Sequence, residues 1–379
     1  MPKNFTPASE LELAEIIAGN GPFNVCGSGT KTSLGRPMAE MPVLSLAKFK
    51  GVELYEPEEL IFEAGAATPL SEVRKLLAAK NQMLAFEPPD FSALLGNKTS
   101  GTIGGMLATG FAGPRRIKAG SVRDHVLGIR GVTGRGEFFK LGSRVMKNVT
   151  GYDVSKLMAG SWGTLSALTR ITCKVLPAPE TESTLVIKSG DPVALMSKAL
   201  QSPCDVSGAA HVPGQGTYLR LEGIGISVKA RRDALSKLLG MKSETLGVAD
   251  SRKLWASIRD VTVLPFKNNS IIWRVSVPPS DGEAYVRRVF IAASGRYFLD
   301  WGGGLVWLAL EPSSDGREAA VRGVLREGHA MLFRAPEELR PRIPVFQPQP
   351  PALSALSTRV KAALDPLAKL NPSRMVEGR

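Results

Sequence analysis

The stretch NVCGSGTKTSLG, residues 24–35, decides how the rest of the chain is interpreted. Glycine turns present successive backbone N–H groups that bind anionic oxygens, and glycine lets a ligand approach the backbone closely. Ser28 and Thr30 add hydroxyl donors, and Lys31 adds a positive charge. On its own, the stretch is compatible with a phosphate-binding loop and with an ordinary surface turn.

Two common nucleotide-binding motifs do not fit this stretch. The dinucleotide pattern GxGxxG begins correctly at Gly27 and Gly29, but Thr32 occupies the place of the third glycine. Prolines in the following SLGRPMAEMP also argue against the helix that this motif requires. The P-loop pattern fails as well, since it requires a glycine immediately before the lysine and Thr30 occupies that position. A phosphate loop of another type is what remains.

Two further glycine-rich stretches follow. In SGTIGGMLATGFAG, residues 100–113, Gly104 and Gly105 would let a flat group lie on the backbone, and Thr102 could bond a phosphate oxygen. In GSWGTLSALTRI, residues 160–171, a glycine turn leads into a strand. Taken alone, residues 100–113 are equally compatible with a tightly packed turn, whereas residues 160–171 favour an ordinary turn into a sheet.

Taken together, the three stretches resemble the flavoprotein family with the vanillyl-alcohol-oxidase type of FAD-binding domain, over residues 6–177. The resemblance implies an α+β fold with a two-lobed FAD-binding domain. It also implies an α+β cap domain with an antiparallel sheet, and a C-terminal helix that returns to the flavin domain. The predicted divisions are 1–50 and 51–178 for the two FAD-binding subdomains, 184–335 for the cap, and 336–379 for the proline-rich segment and closing helix.

A narrower resemblance runs nearly end to end. VMKNVTGYDVSKLMAGSWGTL, LDWGGG, GHAMLFRAP and LDPLAKLNPSRM are similar to the smaller FAD-binding subunits of bacterial glycolate oxidases. This likeness implies that FAD is the cofactor and that the chain supports oxidation of glycolate, a 2-hydroxy acid, to glyoxylate. It further implies a larger FAD-containing subunit and an iron–sulfur subunit as partners, which receive the electrons.

The resemblance also assigns site residues, position by position. The diphosphate loop would consist of Gly27, Ser28, Gly29, Thr30 and Lys31. The wall along the diphosphate and flavin would consist of Thr102, Gly104, Gly105, Thr109 and Gly113. The turn near the adenine would include Trp162, Gly163 and Ile171. Arg115, Arg116 and Arg123 are left open between neutralising an anion and forming part of a charged surface.

Several departures from related flavoproteins shape the expectation. The first loop has no histidine and TIGG has no neighbouring cysteine, so we expect FAD to be held without a covalent bond. Cys26 is interpreted as a small buried residue. The histidine-rich HGDGNxH-like stretch of related hydroxy-acid enzymes is missing, so no catalytic base is assigned. Ser166 stands where the family usually has glycine.

The composition of the chain limits which other classes of function are possible. The formal net charge is +13, with nine Lys/Arg and two acidic residues between positions 111 and 150, which suits an anionic partner or merely a basic surface. Aromatic residues make up 6%, which disfavours a nucleic-acid surface. Three scattered cysteines without a CxxC predict no disulfide framework and no iron–sulfur cluster or metal site in this chain.

Two other functions stay open. One is a self-sufficient FAD-dependent 2-hydroxy-acid dehydrogenase of the D-lactate type, with His329 or Tyr152 as base. The other is a non-enzymatic scaffold, or a basic nucleic-acid binder. The absence of a long apolar run predicts a cytoplasmic protein, with peripheral attachment to the inner membrane through the complex as an addition. Thr6-Pro7 predicts the start of the first helix, and Thr133-Gly134-Arg135-Gly136 predicts a hairpin.

Overall fold

A computed structural model describes residues 4–142 and 153–378. The chain forms two compact units. The first comprises Met1–Phe111, Gly120–Ala178 and Pro348–Arg379, and the second comprises Ala112–Ala119 and Pro179–Gln347. The predicted four-part division is finer than this one and stays a prediction. The first unit is therefore built from three separate pieces of chain, and the last piece is the C-terminal segment.

The helices follow one another along the chain in both units. They are α1 Glu10–Gly19, α2 Leu70–Ala78, α3 Ser92–Leu95, α4 Ile103–Thr109, α5 Arg116–Ala119, α6 Val122–His125, α7 Val154–Met158, α8 Pro192–Leu200, α9 Gly225–Leu239, α10 Val248–Arg259, α11 Gly282–Ala292, α12 Glu318–Arg322 and α13 Pro351–Leu364.

The strands of the first unit precede those of the second. In the first unit they are β1 Asn24–Cys26, β2 Val43–Ser45, β3 Val52–Glu56, β4 Ile61–Gly65, β5 Gln82–Met83, β6 Val126–Thr133, β7 Phe138–Gly142, β8 Ser166–Lys174 and β9 Leu176–Pro177. In the second unit they are β10 Thr181–Ile187, β11 Gly208–Val212, β12 Gly216–Gly223, β13 Ser243–Leu246, β14 Ile271–Ser276, β15 Gly295–Asp300, β16 Leu305–Leu310 and β17 His329–Arg334.

The described part of the first unit contains three sheets. Strands β1 and β2 pair in parallel, and a five-stranded antiparallel sheet has the order β3-β4-β8-β6-β7 among the described residues. The predicted hairpin at Thr133 is confirmed: it joins β6 to β7, and Thr133 donates its N–H to the Glu137 carbonyl at 3.0 Å. A short β5–β9 pair completes the described sheets of this unit.

Helix α1 begins one turn later than the sequence predicts. Ser9 rather than Thr6 is the N-cap, and its Oγ accepts the N–H of Glu12 at 3.1 Å. A side-chain oxygen at this position satisfies an otherwise unpaired N–H of the first turn, which is why the helix starts there. Leu13 and Ile17 of this helix are fully buried and belong to one apolar cluster with Phe23 and Leu44.

The second unit is organised around one large antiparallel sheet. Its eight strands, all within described residues, have the order β13-β10-β12-β11-β15-β16-β14-β17. Strands β14 and β16 read IIWRVS and LVWLAL, which are rich in the branched and aromatic side chains that favour strands. Helices and sheet enclose one continuous apolar cluster that includes Trp273 and Tyr285. The sheet with covering helices agrees with the predicted α+β class.

Candidate functional site

In the 24–35 stretch, residues 24–26 form β1, and the residues after them form a loop at the carboxyl end of the parallel β1–β2 pair in the first unit. Strand β1 ends at Cys26, and residues 27–31 turn away from it. Gly29 has φ +73°, a conformation that glycine adopts without strain, and a Cβ there would point into open space. A Cβ on Gly27 would lie 3.0 Å from Thr102 Oγ1, so the loop packs directly on the start of helix α4.

Helix α4 forms the second wall. Thr102 is its N-cap, and its Oγ1 accepts the Gly105 N–H at 3.2 Å. A Cβ on Gly104 would lie 2.9 Å from the Ala66 carbonyl oxygen, so this glycine allows the helix to pack tightly after β4. Gly105 instead faces Lys31, whose Nζ lies 3.5 Å from the position of an added Cβ. The two glycines therefore have different roles: Gly104 serves packing and Gly105 serves the cleft.

Lys31 gives this wall an unusual electrostatic character. Burial lowers the pKa of its ammonium, and Asp90 partly opposes that shift. Its Nζ lies close to the first turn of α4, 3.5 Å from the position of a Cβ added to Gly105. The N–H groups of this turn are themselves paired: Ile103 donates to the Thr68 carbonyl, Gly104 to the Ala66 carbonyl, and Gly105 to Thr102 Oγ1. An anion beside Lys31 would offset the cost of burying its ammonium and raise its pKa again.

The turn at Trp162 and Gly163 forms the third wall. Both residues have left-handed backbone, with φ +56° and +69°. The Trp162 N–H donates to the Ala108 carbonyl at 2.8 Å, which ties the turn to helix α4. The indole packs edge-on against Phe111, with 5.8 Å between ring centroids. The turn is thereby fixed against the same helix as the first loop.

The C-terminal segment joins these walls, and sequence reasoning did not assign it to the site. Asn371 accepts the Val25 N–H at 2.7 Å and donates to the Trp162 carbonyl at 2.9 Å. Arg374 donates to the carbonyls of Lys31 at 2.6 Å and Thr32 at 3.1 Å. Both residues belong to KLNPSRM, a stretch that carries the family resemblance, so this stretch was the feature of the sequence that could have identified them.

These elements enclose a cleft with about 830 Å³ of empty space, including the solvent at its open mouth. Eleven of the thirteen predicted site residues line it: Gly27, Ser28, Gly29, Thr30, Lys31, Thr102, Gly104, Gly105, Thr109, Trp162 and Gly163. The lining residues that were not predicted are Asn24, Val25, Cys26, Thr32, Leu46, Ala66, Ala108, Ser166, Leu168, Asn371 and Arg374.

Two predicted residues lie elsewhere. Ile171 is fully buried inside β8, opposite Ala64 and Ile129 of the neighbouring strands. Gly113 belongs to the second unit, where its carbonyl accepts the Trp301 Nε1–H at 3.0 Å. Their assignment to a cofactor site stays a prediction, and neither contributes to the lining of this cleft.

The three arginines that were left open have different surroundings. Arg115 forms an ion pair with Glu222 in the second unit, with its Nε 2.9 Å from Oε2. Arg116 stacks over the Trp301 ring at 4.5 Å. Arg123 is exposed on α6. None of the three lines the described cleft, so Arg115 is best explained as part of a structural ion pair.

The candidate bases and thiols are also placed. His329 is exposed at the start of β17, and Tyr152 lies outside the described residues. Cys26 lines the cleft half-buried rather than fully buried, and burial raises the pKa of its thiol. Within residues 4–142 and 153–378, no three His, Cys, Asp or Glu side chains cluster as metal ligands. No described helix has the length and apolarity to cross a membrane.

Comparisons with known proteins agree with this geometry. Residues 4–142 match the family model described as "FAD binding domain". The chain is 34% identical to the glycolate oxidase subunit GlcE of Escherichia coli K12 over 376 residues, covering 98% of this chain and 97% of that protein. It is 31% identical to the glycolate oxidase subunit GlcD of Bacillus subtilis 168 over 214 residues, or 56% of this chain and 42% of that protein.

Among solved structures, p-cresol methylhydroxylase aligns with a TM-score of 0.70 at 14% identity, covering 99% of this chain and 88% of that chain. This likeness concerns the fold alone. It confirms the predicted fold class, a vanillyl-alcohol-oxidase type flavoprotein fold with an α+β second domain.

Proposed function

The chain belongs to the family of the glycolate oxidase subunit GlcE, and from that premise we propose that it is the FAD-binding subunit of a glycolate oxidase. It supports the oxidation of glycolate to glyoxylate, and electrons pass on to partner subunits. The observation that carries the proposal is the identity of 34% across nearly the full length of both chains. A match confined to the FAD-binding domain would support only a flavoprotein.

The cleft suits the cofactor that this function requires. Residues 27–31 and the start of α4 would hold the diphosphate, because the glycine-rich turn, the Lys31 ammonium and Gly105 line the same part of the cleft. Trp162 and Gly163 would contact the adenine half. FAD, when bound, supplies the acceptor for the hydride of the hydroxy acid.

We propose that FAD is held without a covalent bond. The first loop has Thr30 and Lys31 where related proteins with covalent flavin have histidine. Cys26 is the one sulfur-containing residue among the described residues that line the cleft. Burial raises the pKa of its thiol, which keeps the thiol in the unreactive protonated form. Acid precipitation of the purified protein should therefore release the flavin into the supernatant.

The partners in this proposal are a larger FAD-containing glycolate oxidase subunit and an iron–sulfur subunit. The complex is cytoplasmic, with peripheral contact to the inner membrane through its other subunits. We assign no catalytic base to this chain. His329 is exposed, and His211 shares a 3.0 Å hydrogen bond with Thr217 while burial lowers its pKa.

The test is a stepwise reconstitution. The chain is purified alone, saturated with FAD and mixed with glycolate while its flavin absorbance is recorded. It is then co-expressed with the products of neighbouring genes, and the purified assembly is assayed for flavin, iron and glycolate oxidation. We expect bound flavin in both preparations, with glycolate oxidation in the assembly alone.

Two results would contradict the proposal in different ways. A chain that binds no flavin even with excess FAD would be a scaffold. Loss of flavin absorbance on adding glycolate or D-lactate to the isolated chain would indicate a self-sufficient dehydrogenase.

A further inference from the structure

A row of basic side chains crosses the five-stranded sheet of the first unit. Lys140 on β7 lies directly opposite Arg130 on β6, and Arg130 lies directly opposite Arg170 on β8. Like charges that face each other across strands destabilise a sheet. Three in succession therefore need a compensating negative charge.

The same sheet face has a hollow beside this row. Two residues further along each strand come Gly142, Gly128 and Thr172, and Thr172 faces Glu63 on β4. Because side chains alternate between faces, these positions share the face of the basic row. The paired glycines project no side chains, and they form part of a cavity with about 680 Å³ of empty space, counted to its open mouth.

The carboxylates around the hollow do not balance its cations. Glu63 lies 4.0 Å from both Arg130 and Arg170, and Arg170 also pairs with Glu53 at 2.5 Å. Lys140 is exposed and has no carboxylate partner in the described part of the chain. Among the described residues, these three cations and two carboxylates leave one positive charge without a carboxylate to balance it.

The guanidinium of Arg130 also needs a hydrogen-bond acceptor. Its Nε is buried, and within residues 4–142 and 153–378 it has no hydrogen-bond partner. A buried donor without a partner is costly, and native proteins usually satisfy such groups. The group that completes the charge balance would also accept this hydrogen bond if it carried oxygen.

We propose that this hollow binds a small oxyanion, either a phosphate or a carboxylate group, between Arg130 and Lys140. The planar fork of an arginine suits both kinds of group, and lysine adds a point charge. The site shares no lining residue with the cleft at residues 27–31, so it is separate from the diphosphate position. It also accounts for part of the basic segment between residues 111 and 150.

The test measures anion binding by the full chain saturated with FAD, so that the cleft is already filled. Thermal unfolding and calorimetric titration are run with inorganic phosphate and with oxalate, each against chloride at equal ionic strength. The variants are Arg130→Gln and Lys140→Gln, and the control is Arg123→Gln, which removes one exposed charge from α6. A ligand that binds the native state raises the unfolding temperature, and at a given concentration the stabilisation grows with the logarithm of its affinity.

We expect phosphate or oxalate to raise the unfolding temperature of the wild type and of Arg123→Gln equally. Each site variant should bind the same anion about tenfold more weakly, since one charge-assisted contact is lost. The anion with the larger effect identifies the source of the oxyanion. If neither anion exceeds chloride on the wild type, or if all variants respond alike, the proposal is wrong. Lys140 is exposed, so Lys140→Gln keeps the test valid even if Arg130→Gln fails to fold.

Discussion

The two units of this protein hold their polar groups in different ways. In the first unit, polar side chains join loops that are far apart in sequence; Asn371, for example, contacts Val25 across 346 positions. In the second unit, an apolar cluster surrounds one continuous sheet, and its buried charges pair with each other, as Glu222 does with Arg115 and Arg220. From this difference we expect the first unit to depend on its ligand more than the second unit does.

Replacing Gly29 with valine should weaken FAD binding by the first unit more than the other substitutions do. The native φ of +73° costs a β-branched residue at least about 1–2 kcal/mol, and the added side chain would enter the open space of the cleft. We expect FAD affinity to fall by roughly 100-fold or more, equivalent to about 2.7 kcal/mol. The measurement is flavin absorbance per mole of purified protein.

The control for this variant is Gly240→Val. Gly240 ends helix α9 in the second unit with φ +65°, and an added Cβ there also meets open space. The backbone strain is therefore matched, and flavin content should stay at the wild-type level. Full flavin in Gly29→Val would refute the assignment of the loop to the cofactor.

Replacing Glu222 with glutamine tests the second unit's side of the comparison. Burial opposes ionisation of Glu222, but Arg220 and Arg115 outweigh it and hold the pKa of this carboxyl at about 2. Removing the charge takes a negative partner from two buried guanidinium groups, and breaking a buried ion pair typically costs about 3–5 kcal/mol. Denaturant unfolding should show this loss, while the folded variant keeps its flavin, since Glu222 does not line the described cleft.

The pH dependence of this effect has a defined sign. The folded-state pKa is depressed, so the stabilisation is present above the unfolded value of about 4.3 and is lost as pH falls towards 2. Glu222→Gln should therefore lack part of the wild type's acid-induced destabilisation. The control is Glu244→Gln, whose exposed pair with Lys188 is worth about 0–1 kcal/mol. Equal losses in both variants would mean that the buried pair of Glu222 stabilises the second unit no more than an exposed pair does.

Sequence reasoning marked where these loops turn because glycine requirements are local. Gly29 and Gly163 have left-handed backbone, so the sequence itself marks where the chain must turn. It failed for Asn371 and Arg374, since no local pattern shows that a C-terminal turn will bond to strands hundreds of residues away. Ile171 shows another limit: a motif fixed its position in the chain, but strand alternation directed its side chain into the sheet interior.

Replacing Asn371 with alanine sharpens the claim that distant polar contacts hold the first unit together. The change removes the side chain that accepts the Val25 N–H and donates to the Trp162 carbonyl, and losing one partner of a buried hydrogen bond costs about 1–3 kcal/mol. We expect the free energy of unfolding to fall by about 2–4 kcal/mol, with weaker FAD binding. Denaturant unfolding with and without FAD measures both effects.

Asn81→Ala is the matched control for the backbone. Asn81 also has left-handed φ, at +52°, but it is exposed on the turn after α2. The difference between the two variants isolates the side-chain contacts of Asn371 from the strain of an alanine in this conformation. If both variants lose the same stability and keep the same FAD affinity, the C-terminal segment does not organise the cleft.

Replacing Lys31 with methionine should have the smallest effect, on affinity alone. The variant loses one charge-assisted contact to the diphosphate, so FAD affinity should fall by about tenfold, or 1.4 kcal/mol. It should also unfold at no lower a denaturant concentration than the wild type without FAD, because a desolvated ammonium is removed. Lys80→Met, which removes an exposed lysine after α2, should leave FAD affinity unchanged.

The pH dependence of FAD binding tests the same lysine. Burial lowers the pKa of Lys31 in the free protein, and an anion beside it would raise that pKa again. Binding therefore takes up a proton whenever the pH lies between the two values, and affinity must fall as pH rises through that window. Wild-type affinity should decline at alkaline pH, and Lys31→Met should lack this decline. An identical profile in both proteins would mean that the first unit's positive charges do not meet at the cofactor, and that its loop is no more specialised for a ligand than the second unit's core.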